Sequence, residues 1–119
     1  MGKKEEIFEL VISEIDLYVI NKVRELREPN TSQVQLSILL GLAEGAVGKI
    51  ENPKERAKYN IRHLNLLAKS LKCSPRDLLP EKPLKNDIVK VTFKVLRKGR
   101  PKKEASNFEI LKIEPIKSD

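Results

Sequence analysis

Apolar residues recur at three- and four-residue steps through "EEIFELVISEIDLYVINKVRELRE", where Ile7, Val11, Ile15, Val19, Val23 and Leu26 share one helical face. Ser13 followed by Asp16 has the spacing of a capping box. The pattern therefore predicts a helix from about Glu14 to Arg27 and leaves residues 1–13 open, as a separate helix or a strand. Pro29 and Asn30 break the run. Ser32 and Gln35 form a second capping-box pair, with Leu36, Leu39 and Leu40 as the expected buried face and Gly41 as the helix stop. A short helix carrying Val47 and Ile50 inward is expected before Pro53. The loop "NPKERAKYN" is basic and turn-rich. Asn60 is the expected N-cap of "IRHLNLLAKSL", whose stripe is Ile61, Leu64, Leu67, Ala68 and Leu71. Ser74, Pro75 and Asp77 mark one more short helix over "SPRDLL".

The period changes after Pro80. "PEKPLKN" reads as a linker, and "DIVKVTFKV" alternates, with Val89, Val91, Phe93 and Val95 against Lys90, Thr92 and Lys94. "NFEILKI" alternates less cleanly, with Phe108 and Ile110 set against Leu111 and Ile113. The expected organisation is an N-terminal extension (1–13), a helical domain (14–80), a linker (81–87) and a C-terminal β-hairpin and tail (88–119). The expected fold class is mainly α with a small hairpin appendage. A hairpin alone is marginal in water, so its apolar face needs a cover, and self-association is the favoured one.

Charge narrows the function. The chain has 119 residues, a net charge of +7 and only 4% aromatic residues. Residues 1–50 are net acidic, whereas Lys54 to Lys103 holds most of the Lys and Arg, opposed only by Glu55, Asp77, Glu81 and Asp87. Such asymmetry points to an anionic partner, nucleic acid or a membrane surface. No apolar run is long enough to span a membrane, and acids interrupt the N-terminal apolar stretch where a signal peptide would need a continuous core. Cys73 is the single cysteine, which excludes a disulfide framework and fits a reducing cytoplasm. With one His, one Cys, no glycine-rich phosphate loop and no framed carboxylate pair, the expectation is a binding module: not an enzyme, with no cofactor and no metal. His63 lacks a metal-ligand partner at ligand spacing and reads as structural, Tyr59 as a packing anchor.

Two short helices joined at Gly41 and bracketed by helices follow helix-turn-helix logic. The residues "VRELR…SQVQLSILLG…VGKIE…LNLLAKSL…SPRDLL" resemble the phage-repressor family (lambda repressor and Cro, XRE-type) from roughly Tyr18 to Leu79. The markers are Arg27, Ser32, Gln33, Leu36, Gly41, Val47, Ile50, Glu51, Leu67, Ala68, Leu71 and Leu79. The resemblance implies a five-helix domain and a transcriptional regulator, commonly a repressor, that binds double-stranded DNA as a homodimer. It puts Ser32 and Gln33 at the start of helix two, on phosphate. A recognition helix at about residues 44–51 would offer Glu44, Gly45 and Lys49 to base edges in the major groove. Asn52, Lys54, Arg56 and Lys58 would hold phosphates, and Arg27 with Glu51 would form a buried ion pair. The chain also departs from the family. Gly45 and Gly48 carry no side chain to read bases, Glu44 repels phosphate, and Ser37 stands where the family has a small Ala. The alternative is therefore a protein-interaction module, or an antitoxin-like partner protein, that keeps the helical core with little base readout.

One basic run remains, "RKGRPKK" from Arg97 to Lys103. Its "GRP" core resembles an AT-hook, in which Arg100 would enter the narrow minor groove of A·T-rich DNA. A plain charged hairpin tip is the competing reading.

Overall fold

The computed structural model describes residues 5–96 and 108–116. It does not show a mainly-α five-helix domain with a hairpin appendage. Four α-helices and a three-stranded antiparallel sheet make a mixed α/β fold, in the order β1 (Glu5–Ser13), α1 (Glu14–Arg27), α2 (Gln33–Leu39), α3 (Ala46–Glu51), α4 (Ile61–Leu71), β2 (Ile88–Leu96) and β3 (Phe108–Pro115). A fifth α-helix is replaced by a single 3-10 turn, Pro75–Leu78. The Ser74 hydroxyl caps that turn by accepting from Arg76 N–H, the Asp77 carboxylate accepts from Ser74 N–H in return, and Leu79 leaves the turn in extended conformation. The chain divides into two compact units, one helical from Ile15 to Lys85, the other joining β1 and Glu14 to the segment from Asn86 onward.

Residues 5–13, open between helix and strand on sequence, are decided by the structure. They form a strand, and they complete a three-stranded sheet of order β1-β2-β3 rather than leaving a two-stranded hairpin. Both periods are present in "EIFELVI". Ile7, Val11 and Ile15 fit a helix, while Phe8, Leu10 and Ile12 fit one face of a strand. The strand wins because β1 pairs residue for residue with β2, from Glu5 opposite Leu96 to Ser13 opposite Ile88. The residues of the helical reading accordingly end exposed, Ile7 at 64% and Val11 at 59%, whereas Ile12 is buried.

Opposed residues of an antiparallel pair share a face. One face therefore carries Phe8, Leu10 and Ile12 of β1 beside Val89, Val91, Phe93 and Val95 of β2. Phe8 stacks on Phe93 with ring centroids 5.6 Å apart, and Phe108 meets Phe93 edge-on at 6.1 Å, an aromatic row across all three strands. The opposite face is an ion-pair ladder. Lys90 lies 3.6 Å from Glu9 and 3.7 Å from Glu114, and Lys94 lies 3.9 Å from Glu109. The uneven alternation of β3 has a simple cause. Thr92 pairs with Lys112 but Phe93 pairs with Ile110, so Leu111 is the extra residue of a β-bulge. That insertion returns Phe108, Ile110 and Ile113 to the same face. Within the sheet's own unit, Glu14 joins the end of β1 to the approach to β2: its N–H donates to the Asp87 carbonyl (2.8 Å) and its carboxylate accepts from Asn86 N–H (2.8 Å).

In the helical unit, α1 runs over the expected residues and buries Val19, Ile20 and Val23. Around them lie Leu36, Leu40, Val47, Ile50, Tyr59, Leu67, Ala68 and Leu78. The expected capping pairs Ser32–Gln35 and Ser74–Asp77 form, and Gly41 takes the left-handed conformation (φ +74°) that ends α2. Four expected core positions are corrected: Ile15, Leu26, Leu39 and Ile61 are exposed, Ile61 at 81%. Each lies at the margin of its apolar stripe, where a helix face turns to solvent.

Candidate nucleic-acid interface

The link between α1, α2 and α3 is polar and buried. Arg27 Nε donates to Glu51 Oε2 (2.9 Å) and Arg27 Nη2 to Glu51 Oε1 (2.8 Å), while Nη1 reaches the Thr31 carbonyl (2.9 Å). This is a bidentate fork, the strongest form of such a pair. Gln33 joins it, Nε2 donating to Glu51 Oε1 at 2.9 Å. A second link runs through Ser37. Its hydroxyl donates to the Gln33 carbonyl (2.9 Å) and accepts from Val47 N–H (3.0 Å), one of the backbone donors that the first turn of a helix leaves unpaired. Gly48 completes the fit, since a Cβ there would lie 3.3 Å from Gln33 Oε1. Both polar links hold α3 against α2.

Outside this network stand the DNA-facing candidates. α3 begins at Ala46, so Glu44 and Gly45 belong to the turn before it, and both are exposed. Gly45 is the N-cap and supplies no side-chain cap. Lys49 is exposed on the last turn, between the buried Val47 and Ile50. Asn52 closes α3, and its Oδ1 accepts from Lys54 N–H (2.9 Å), which shapes the start of the basic loop. Lys54 and Arg56 are exposed, and Lys58 Nζ donates to the Arg56 carbonyl (3.2 Å). Ser32 is half-buried, its hydroxyl engaged as the cap of α2 by Gln35 N–H (3.0 Å). Thus Glu44, Gly45, Lys49, Lys54 and Arg56 present open surface, whereas Ser32 and Gln33 are tied into helix caps and the ion-pair network. The run Arg97–Lys103, Arg100 included, lies outside the described residues.

Tyr59 and His63 anchor the far end of the loop. Their rings meet edge to face, centroids 6.0 Å apart. Burial pushes the Tyr59 phenol well above its ordinary range, and the Glu51 carboxylate adds to the effect while Arg27 opposes it. Asn60 caps α4 through His63 N–H (2.9 Å), and His63 Nδ1 accepts from Asn60 N–H (3.1 Å). An imidazole thus fills the place that Glu or Gln takes in a capping box. Burial lowers the His63 pKa, and Arg62 lowers it further.

Residue reading gave the Asn60 cap but not the part of His63, although His63 stands at the three-residue spacing that signals it. Ser37 carried no such signal. A serine inside a helix commonly bonds its own preceding turn; its second bond, to Val47, depends on the tertiary approach of α3.

No family model, curated protein or solved structure matches this chain. None of the described helices is long and apolar enough to cross a membrane. Among the described residues, no group of three or more His, Cys, Asp or Glu side chains could hold a metal ion.

Proposed function

We propose that this chain is a DNA-binding transcriptional regulator of the phage-repressor type, cytoplasmic and dimeric, that sets α3 and the turn before it against the major groove. One observation carries the reading. The Arg27–Glu51–Gln33 and Ser37–Val47 links fix α3 on α2 from the inside, and Glu44, Gly45, Lys49, Lys54 and Arg56 are left on the outside. That division suits a helix whose backbone must be held rigid while its outer face meets a ligand. Base reading rests on few side chains, chiefly Lys49, and phosphate contact on Lys54, Arg56 and Lys58.

A second reading has its own observation. Val34, Ile38 and Leu39 are exposed on the outer side of α2. Apolar side chains at that helical spacing favour a protein partner, as in an antitoxin-like module.

Fluorescence anisotropy with a labelled random duplex, titrated with salt, separates the two. A regulator making several phosphate contacts binds at low salt and loses affinity as a steep power of salt concentration. Lys54→Ala with Arg56→Ala weakens binding to all sequences alike and flattens the salt slope. Absence of duplex binding at low salt removes the DNA reading and leaves the protein-partner one.

A further inference from the structure

The two edges of the sheet differ in kind. Folded proteins commonly protect edge strands with bulges, lysines and prolines. β3 has all three, in the bulge at Leu111, in Lys112 and in Pro115. β1 has none. Its sequence "EEIFELVIS" lacks Lys, Pro and Gly, and its nine residues pair with β2 without a register break. Among the described residues no strand lies on its other side.

The exposed side chains of β1 also form a pattern. Ile7, Glu9 and Val11 lie on the charged face of the sheet, and both apolar members are more than half exposed. Apolar–acid–apolar reads the same in either direction. We propose that a second copy of this chain adds antiparallel along β1, around a two-fold axis at Glu9, to make one continuous six-stranded sheet. In this register all of Glu5–Ser13 overlaps. Ile7 faces the partner's Val11, and Val11 faces the partner's Ile7. On the other face Phe8 falls opposite the partner's Leu10. The neighbouring registers that keep the faces matched slide each strand by two residues, shorten the overlap and set Ile7 against Glu9 or Ser13. The self-complementary pattern selects the chain itself as occupant over an unrelated strand. The two Glu9 carboxylates oppose each other at the axis, which costs affinity. Lys90, 3.6 Å from Glu9, offsets part of that cost in each copy. The proposal rests on the sheet alone and stands or falls apart from DNA binding.

Sedimentation equilibrium on the full chain tests it. Wild type runs as a dimer. Ile7→Lys with Val11→Lys sets lysines opposite lysines and raises the dimer Kd at least about tenfold. Ile7 and Val11 also face Lys94 and Lys90 of the same sheet, so circular dichroism is recorded on the variant to show that it stays folded. Glu9→Gln, which removes the repulsion at the axis, lowers the Kd. Leu111→Lys, on the bulged edge, leaves it unchanged. A wild-type monomer at concentrations on the order of 0.1 mM overturns the proposal. So does a dimer that survives the double lysine variant, one that Leu111→Lys dissociates, or one that Glu9→Gln fails to tighten.

Discussion

Arg27 and Glu51 lie 24 positions apart and face each other through two hydrogen bonds of 2.9 and 2.8 Å, with both side chains almost wholly buried. The pair sets the angle at which α3 leaves the helical core, and Gln33 and Thr31 take up further valences of the same groups. Removing one partner strands a charge in a low-dielectric site. Either Arg27→Ala or Glu51→Ala therefore destabilises the fold by about 3–5 kcal/mol. The paired replacement Arg27→Met with Glu51→Leu recovers most of this loss, because no charge is left without its counterpart. Urea unfolding of the three variants checks the order.

Ser37→Ala costs less but acts more locally. It deletes the acceptor of Val47 N–H in a place with no access to solvent, since Ser37 and Val47 are both fully buried. An orphaned buried donor costs about 1–3 kcal/mol. The expected outcome is faster exchange of the Val47 amide in the variant, by more than the loss of global stability accounts for, read by hydrogen-exchange NMR. Unchanged exchange at Val47 means that Ser37 does not hold α3.

What was legible in the sequence is what short spacings decide. Ser32 with Gln35, Asn60 before its helix, and Ser74 with Pro75 and Asp77 all state a cap within four residues, and Gly41 supplies a positive φ where a helix must stop. The Arg27–Glu51 pair came from resemblance, because no local rule links residues so far apart. Residues 5–13 resisted for a different reason. Ile7 and Val11 suit a helix, Phe8, Leu10 and Ile12 suit a strand, and the decision falls to β2 at the other end of the chain. The bulge at Leu111 was visible only as a broken alternation. At the candidate interface the exposed residues could be named individually, but the engagement of Gln33 with Glu51 could not, since it depends on how closely Gly48 lets the two helices approach.

His63 makes stability depend on pH in a predictable direction. Its Nδ1 must be unprotonated to accept from Asn60 N–H, and its pKa in the fold is lowered below the ordinary value near 6.5. In the window between the lowered folded value and about 6.5 the unfolded chain binds more protons, so stability rises with pH. The contribution is complete above about pH 6.5 and is lost as pH falls through the folded value. His63→Gln keeps a capping-box partner that does not titrate. The variant loses less stability than the wild type between pH 7.5 and 5, as followed by urea unfolding; equal losses contradict the assignment.

Gly48 and Gln33 form a coupled pair whose sign can be argued in advance. Alanine at 48 gains about 1 kcal/mol of helix propensity. Its Cβ, however, lands 3.3 Å from Gln33 Oε1, and the other end of that amide is held by Glu51. Gln33 must give way by a few tenths of an ångström and weaken its hydrogen bond, worth about 0.5–1.5 kcal/mol. In the wild-type background the two effects nearly cancel, and Gly48→Ala leaves stability almost unchanged. With Gln33→Ala already in place the side chain at 48 meets no obstacle, and the same substitution stabilises by about 1 kcal/mol. The double-mutant cycle is therefore non-additive in a stated direction. Additive behaviance of the two changes shows that Gly48 is not retained for the close approach of Gln33, and its place in α3 then needs a different explanation, one that lies on the outer face of the helix.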